Sequence, residues 1–128
     1  MPGIRVLIVD DSAVMRKIVE RSLRSAGLEL ASVWNAGSGS EALDLLRTQQ
    51  VDMILSDINM PQMNGLEFLR QVAANGLAPG TPIVMITTEG SEDHVVQAVQ
   101  AGARGYILKP FTAEQIKDRV LPLLEGRA

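Results

Sequence analysis

Met53-Ile-Leu-Ser-Asp-Ile-Asn-Met-Pro-Gln-Met-Asn-Gly65 is the stretch that decides the fold. Its apolar head, residues 53–55, is short and reads as a buried strand. Asp57 stands where that strand should end. Pro61 and Asn64-Gly65 then force a loop, because proline fixes φ and glycine accepts conformations closed to other residues. A carboxylate at the carboxyl end of a buried strand, ahead of a pre-bent loop, is well placed to meet a ligand.

The same alternation extends in both directions. Residues 6–9 form an apolar run rich in β-branched side chains, followed at once by Asp10-Asp11. Ser12 caps a predicted helix with Met15, Ile18, Val19 and Ala26 on one face, and Gly27 closes it. Residues 30–34 are a weaker second strand. Ser38-Gly-Ser-Glu41 spells a capping box that opens a helix with Ala42, Leu43 and Leu46 inside. Asn64-Gly-Leu-Glu67 repeats the signal ahead of Leu66, Leu69, Val72 and Ala73.

Beyond the loop at 79–82, residues 83–86 are the most strand-like run in the chain and end at Thr87-Thr88. Ser91 caps a helix to about Ala101, with Gly102 as its stop. Residues 105–108 form a fifth strand that ends at Lys109-Pro110. Thr112-Ala-Glu-Gln115 opens a last helix carrying Ile116, Val120 and Leu124. Pro122 removes a hydrogen bond inside that helix at a cost of ~3 kcal/mol, which predicts a kink or early stop around 118–122.

The bulk properties fit one globular domain spanning 1–128, with its core at 4–124. At 128 residues, 46% hydrophobic and net charge −3, the chain supports a single filled core. Its apolar runs are too short to span a bilayer, and residues 1–9 lack the pattern of a secretory signal. The absence of cysteine excludes disulfides and thiolate metal sites and suits a cytoplasmic protein. Mild acidity argues against a nucleic-acid surface. Five strands alternating with five helices imply an α/β fold, a parallel sheet covered on both faces. Ligands of such sheets bind beyond the carboxyl ends of the strands.

The residues closing strands one, three, four and five are Asp10-Asp11, Asp57, Thr87-Thr88 and Lys109. Each has an ordinary explanation alone: a helix cap, a turn former, a strand residue, a solvated lysine. Their joint position at strand ends is what calls for chemistry. Three carboxylates in one crevice repel, and a hard divalent cation resolves that; Mg²⁺ binds through one or two carboxylates plus phosphate oxygens. Lys109 and Thr87 supply a positive charge and a hydroxyl donor suited to phosphate, and a carboxylate is a competent nucleophile toward phosphorus.

Val-Asp-Asp at 9–11, Asp57-x-x-Met-Pro-x-Met-x-Gly65, Thr87 and Lys109-Pro-Phe111 together resemble the receiver domain of two-component response regulators. Ser-Asp-x-Asn-Met-Pro at 56–61, Gly105-Tyr106 and Lys-Pro-Phe-Thr at 109–112 are most similar to its chemotaxis regulators. The resemblance covers residues 4–124. It implies a flavodoxin-like (βα)5 fold with strand order 2-1-3-4-5, an order taken from the family rather than from the residues. It further implies that Asp57 accepts a phosphoryl group from a sensor histidine kinase, and that the protein is a signalling device rather than an enzyme. Mg²⁺ would be held by Asp11, Asp57 and the Asn59 carbonyl, with Asp10 acting mainly through water. Lys109 and Thr87 would bind phosphoryl oxygens, and Lys109-Pro110 would be cis.

The resemblance also makes Thr87 and Tyr106 a switch. A downstream protein target would dock on the 91–124 face. Asn59 and Glu89 would tune self-catalysed dephosphorylation, a phosphatase would be a further partner, and the state would be monomer or phosphorylation-dependent dimer, without membrane or nucleic-acid contact. Thr88 departs from the smaller residue usual there, which would narrow the approach of small phosphodonors. Asn64 replaces the usual aspartate, and either residue caps a helix. His94 is expected on a solvent-facing helix surface and Trp34 in peripheral packing.

Gly37-Ser-Gly-Ser-Glu-Ala42 matches the dinucleotide fingerprint G-x-G-x-x-A, so a nicotinamide-dependent enzyme using Gly37, Gly39 and Ala42 is the competing reading. However, the motif follows the second strand, whereas the fingerprint belongs on the first βα turn. It also leaves Asp10, Asp11, Thr87 and Lys109 unused. An aspartyl phosphatase would want Asp-x-Asp after the first strand, and no P-loop pattern exists. A degenerate receiver serving only as a binding module is the third reading, and the intact set of five site residues speaks against it.

Overall fold

The computed structural model describes residues 3–88 and 90–125. Its elements run β1 (Ile4–Val9), α1 (Ala13–Ser25), β2 (Leu30–Ala36), α2 (Gly39–Thr48), β3 (Met53–Ser56) and α3 (Gly65–Ala74). They continue with β4 (Ile83–Thr87), α4 (Glu92–Gln100), β5 (Gly105–Leu108) and α5 (Ala113–Glu125). The five strands form one parallel sheet in the order β2-β1-β3-β4-β5, the expected flavodoxin-like (βα)5 topology.

Successive strand side chains point to opposite faces, so the sheet divides its apolar residues between two cores. Leu7, Val9, Ile54 and Met85 join Leu46, Phe68 and Leu69 on the side of α2 and α3. Val6, Ile8, Met53 and Leu55 join Val19, Leu23, Ile116 and Val120 on the side of α1 and α5. Burying each such large side chain contributes on the order of 1.5–3 kcal/mol.

The helix starts are where the capping residues place them. Ser12, Ser38 and Asn64 each accept the N–H three residues on, from Met15, Glu41 and Glu67, at 2.9–3.1 Å. Thr112 and Gln115 form the full reciprocal box, at 2.9 and 3.1 Å. Such caps are each worth ~1 kcal/mol. Gly27 and Gly102, just past α1 and α4, have φ of 92° and 112°, the left-handed region where glycine avoids a side-chain clash.

Several local expectations need correction. Ile18 is 40% exposed, and the inner positions of α1 are Val19 and Leu23, one turn apart on the same side. Ala73 is exposed, whereas Phe68 is fully buried and fills the space inside α3. The second strand continues two residues past Trp34, which packs at the core edge as expected. His94 is partly exposed on α4, with Nδ1 2.6 Å from Ser91 Oγ.

Pro122 does not stop α5, which runs on to Glu125. The proline lies in the last turn, and both it and Asp118, whose carbonyl loses its partner, are exposed. A carbonyl freed by proline near an exposed helix end is open to hydration, so the penalty falls below that of an interior proline.

Candidate functional site

Register brings the acidic residues together. Val9 pairs with Ser56, so β1 and β3 end level and Asp10 follows beside Asp57. The Asp57 N–H donates to the Val9 carbonyl at 3.0 Å and the Asp10 N–H to that of Ala36 at 3.1 Å, so both backbones still belong to the sheet. Both residues are buried, at 4% and 7% exposure. Asp11, one residue on, is exposed. Carboxylate oxygens of Asp10, Asp11 and Asp57 lie within 4.8 Å of one another.

Across the sheet, β4 and β5 also end level, with Thr87 opposite Leu108. The Lys109 N–H donates to the Thr87 carbonyl at 2.9 Å. From there the Lys109 side chain reaches inward, and Nζ sits 3.0 Å from Oδ2 of both Asp10 and Asp57. Thr87 is fully buried at the end of β4. The Lys109-Pro110 peptide is cis, as expected.

Burial pushes the Asp10 carboxyl above the usual range, outweighing the hydrogen bonds from the Ser12 N–H and Lys109 that act the other way. Burial also acts to lower Lys109, but hydrogen bonds and charge from Asp57 and Asp10 prevail and hold it above the ordinary lysine range. With every group ionised, three carboxylates and one ammonium leave a net charge of −2. That residual charge and an all-oxygen donor set fit a hard divalent cation of the size of Mg²⁺.

The loop after β3 is tightly built. Asp57 Oδ1 accepts the Asn59 N–H at 3.2 Å, which keeps Asn59 at the rim, and Asn59 itself is exposed. The Gly65 N–H donates to the Ile58 carbonyl at 2.8 Å, closing the loop. Tyr106, on β5, is half-buried and packs against the core on the α4 side. Thr88 is exposed beyond Thr87. Glu89 lies outside the described residues.

The second glycine of the 37–42 motif has a packing explanation. A Cβ on Gly39 would come within 2.8 Å of Met63 Sδ, so Gly39 makes room for the loop after Asp57. Sequence reasoning missed that contact. It also missed Arg16, which donates to the Asp10 carbonyl. The only local hint is that Arg16 lies four residues after the Ser12 cap, one helical turn from the strand end.

Residues 6–121 match the family model for the response regulator receiver domain. The chain belongs to this family. The receiver is 37% identical over 121 residues to the chemotaxis protein CheY of Pseudomonas aeruginosa, covering 94% of this chain and 96% of that protein. It is 40% identical over 121 residues to a CheY homolog of Campylobacter jejuni, covering 94% and 92%. Among solved structures, chemotaxis protein CheY4 of Vibrio cholerae superposes with a TM-score of 0.84 at 38% identity, covering 95% of this receiver and 99% of that chain. The receiver domain of the putative response regulator NarL from Mycobacterium tuberculosis gives 0.84 at 31%, covering 99% and 100%. Two-component signalling is therefore the setting in which this receiver works. Among the described residues, no helix is long and apolar enough to cross a membrane.

Proposed function

We propose that Asp57 is the phosphoacceptor of this receiver, taking a phosphoryl group from a phosphohistidine of a sensor histidine kinase. An Asp57 carboxylate oxygen attacks phosphorus, the O–P bond forms, and the N–P bond to the kinase histidine breaks. The observation that carries this reading is Lys109 Nζ at 3.0 Å from Asp57, which sets a cation beside the oxygen that would bond to phosphorus. Once Asp57 carries the phosphoryl group as an acyl phosphate, Lys109 is placed to hold a phosphoryl oxygen.

Asp10, Asp11, Asp57 and the Asn59 carbonyl would hold Mg²⁺, which would stabilise charge on the transferred group. Thr87 offers a hydroxyl to another phosphoryl oxygen, and its movement would draw Tyr106 inward. The output face is then α4, β5 and α5. There a groove of about 450 Å³ is lined by Tyr106, Leu108, Pro110, Gln115 and Arg119. Val96, Val99 and Leu108 add exposed apolar surface for a protein target.

Asn59, at the open rim, and Glu89 would orient or block the water that returns the protein to its resting state, alongside any phosphatase. Chemotaxis is the favoured pathway, by likeness to the relatives named above, and the cytoplasm the favoured compartment.

Incubation of the receiver with a small phosphodonor and Mg²⁺, read by intact mass, tests the assignment. The expected result is one added phosphoryl group in the native chain and none in Asp57→Ala. A gain that survives the substitution would move the acceptor elsewhere.

A further inference from the structure

Arg16 closes the first turn of α1 and donates from Nη1 to the main-chain carbonyl of Asp10. That carbonyl belongs to the peptide joining Asp10 to Asp11. On the far side of Asp11, the Ser12 N–H donates to Asp10 Oδ1 at 2.9 Å. Asp11 is thus held between two peptide planes, each pinned by a charge-assisted hydrogen bond. Its own carboxylate is exposed, and an exposed side chain keeps rotamer freedom, so its aim at the site depends on where the backbone starts it.

The guanidinium has a defined seat. A Cβ on Gly37 would fall 3.6 Å from Arg16 Nη1 and 3.8 Å from Glu41 Oε2, which places the loop before α2 against the arginine with a carboxylate nearby. Glu41 Oε2 is itself held by the Gly37 N–H at 3.4 Å. Arg16 therefore ties the end of β1 to the first turn of α1 and lies beside the entry to α2.

We propose that Arg16 is a positioning residue for the divalent-cation site, acting through the Asp10-Asp11 peptide to aim Asp11 at the cation. This rests on the Mg²⁺ reading above. Groups that orient metal ligands without touching the metal typically change affinity by 10–100-fold when removed. Lysine retains the charge and a donor, whereas methionine retains only the apolar stem.

The test is calorimetric titration of the whole chain with MgCl₂, without phosphodonor, for the native protein, R16K, R16M and D11N. Urea unfolding in EDTA reports separately that each variant is folded. Mg²⁺ should bind R16M at least ~10-fold more weakly than the native chain, and R16K should recover most of that loss. R16Q, which lacks charge and length, takes the place of R16M if the latter does not fold. Native-like Mg²⁺ affinity in R16M or R16Q, or an equal loss in R16K, overturns the role of Arg16. A native chain that binds Mg²⁺ no better than D11N would instead overturn the cation site itself.

Discussion

Gly65 lies so close behind Asp57 that a Cβ there would strike the Asp57 carbonyl oxygen. It would also fall within 2.7 Å of Met85 Cε and 2.8 Å of Ile58 Cα. Two of the three neighbours are backbone and cannot step aside. Forcing atoms into a filled site of this kind costs about 1–3 kcal/mol. Gly65→Ala should lower the free energy of unfolding by that amount in urea titration and shift the loop that carries Asn59. An unchanged urea midpoint would show that the loop has slack.

Asp10 is a buried carboxylate whose ionisation burial opposes. Without Mg²⁺, Asp10→Asn should be at least as stable as the native chain, because Lys109 keeps Asp57 as a partner and one repulsive charge is gone. With Mg²⁺, the order should narrow or reverse, since the native chain alone has the full acidic set. Thermal melts with EDTA and with millimolar Mg²⁺ measure both. A native chain more stable than Asp10→Asn in EDTA contradicts this account.

The pH dependence has a definite sign. Lys109 is raised above its unfolded value, so the stability it contributes is complete below about 10.5 and is lost as pH climbs through the folded value. Native protein should therefore lose stability in alkaline, metal-free buffer along a slope that Lys109→Met lacks. Asp10 is also raised, so its contribution is complete below about 3.9 and is lost as pH rises through the folded value. The advantage of Asp10→Asn in EDTA should accordingly shrink on acidification. Parallel pH curves for native and variant chains would refute both assignments.

Ligand linkage gives a further check on the acidic cluster. A cation that binds only the folded chain stabilises it by about 2.7 kcal/mol at a hundredfold excess over Kd. The melting temperature should thus climb with Mg²⁺ in the native chain and stay nearly flat in Asp11→Asn. A matching climb in both would place the cation away from Asp11.

Pro122 offers a test on the scaffold. Pro122 lies in the last turn of α5, and both it and Asp118 are exposed residues. Pro122→Ala should stabilise the chain by well under the ~3 kcal/mol that an interior proline costs. A gain of that full size in urea titration would mean that the helix is interrupted after all.

What could be read before folding divides along physical lines. Capping residues and strand-end punctuation act locally, so the starts of α1, α2, α3, α4 and α5 were legible from Ser12, Ser38, Asn64, Ser91 and Thr112. The gathering of Asp10, Asp57 and Lys109 was legible once a parallel sheet was inferred, because that topology brings strand ends to one edge. Helix phase was less so: Ile18 and Val19 are adjacent β-branched residues, and only packing against Leu23 and the sheet selects Val19. Contacts between separate loops left almost no local trace. Nothing near Gly39 announces Met63, and near Asp10 only the one-turn spacing from the Ser12 cap hints at Arg16.

Lys109 hangs from β5, the outermost strand on its side, and crosses β4 to grip β1 and β3 near the middle of the sheet. A charge added at the centre would therefore bear on the rim of the sheet through the Lys109 side chain. Such a molecule is built like a lever, and its throw is the length of a single amine-tipped chain.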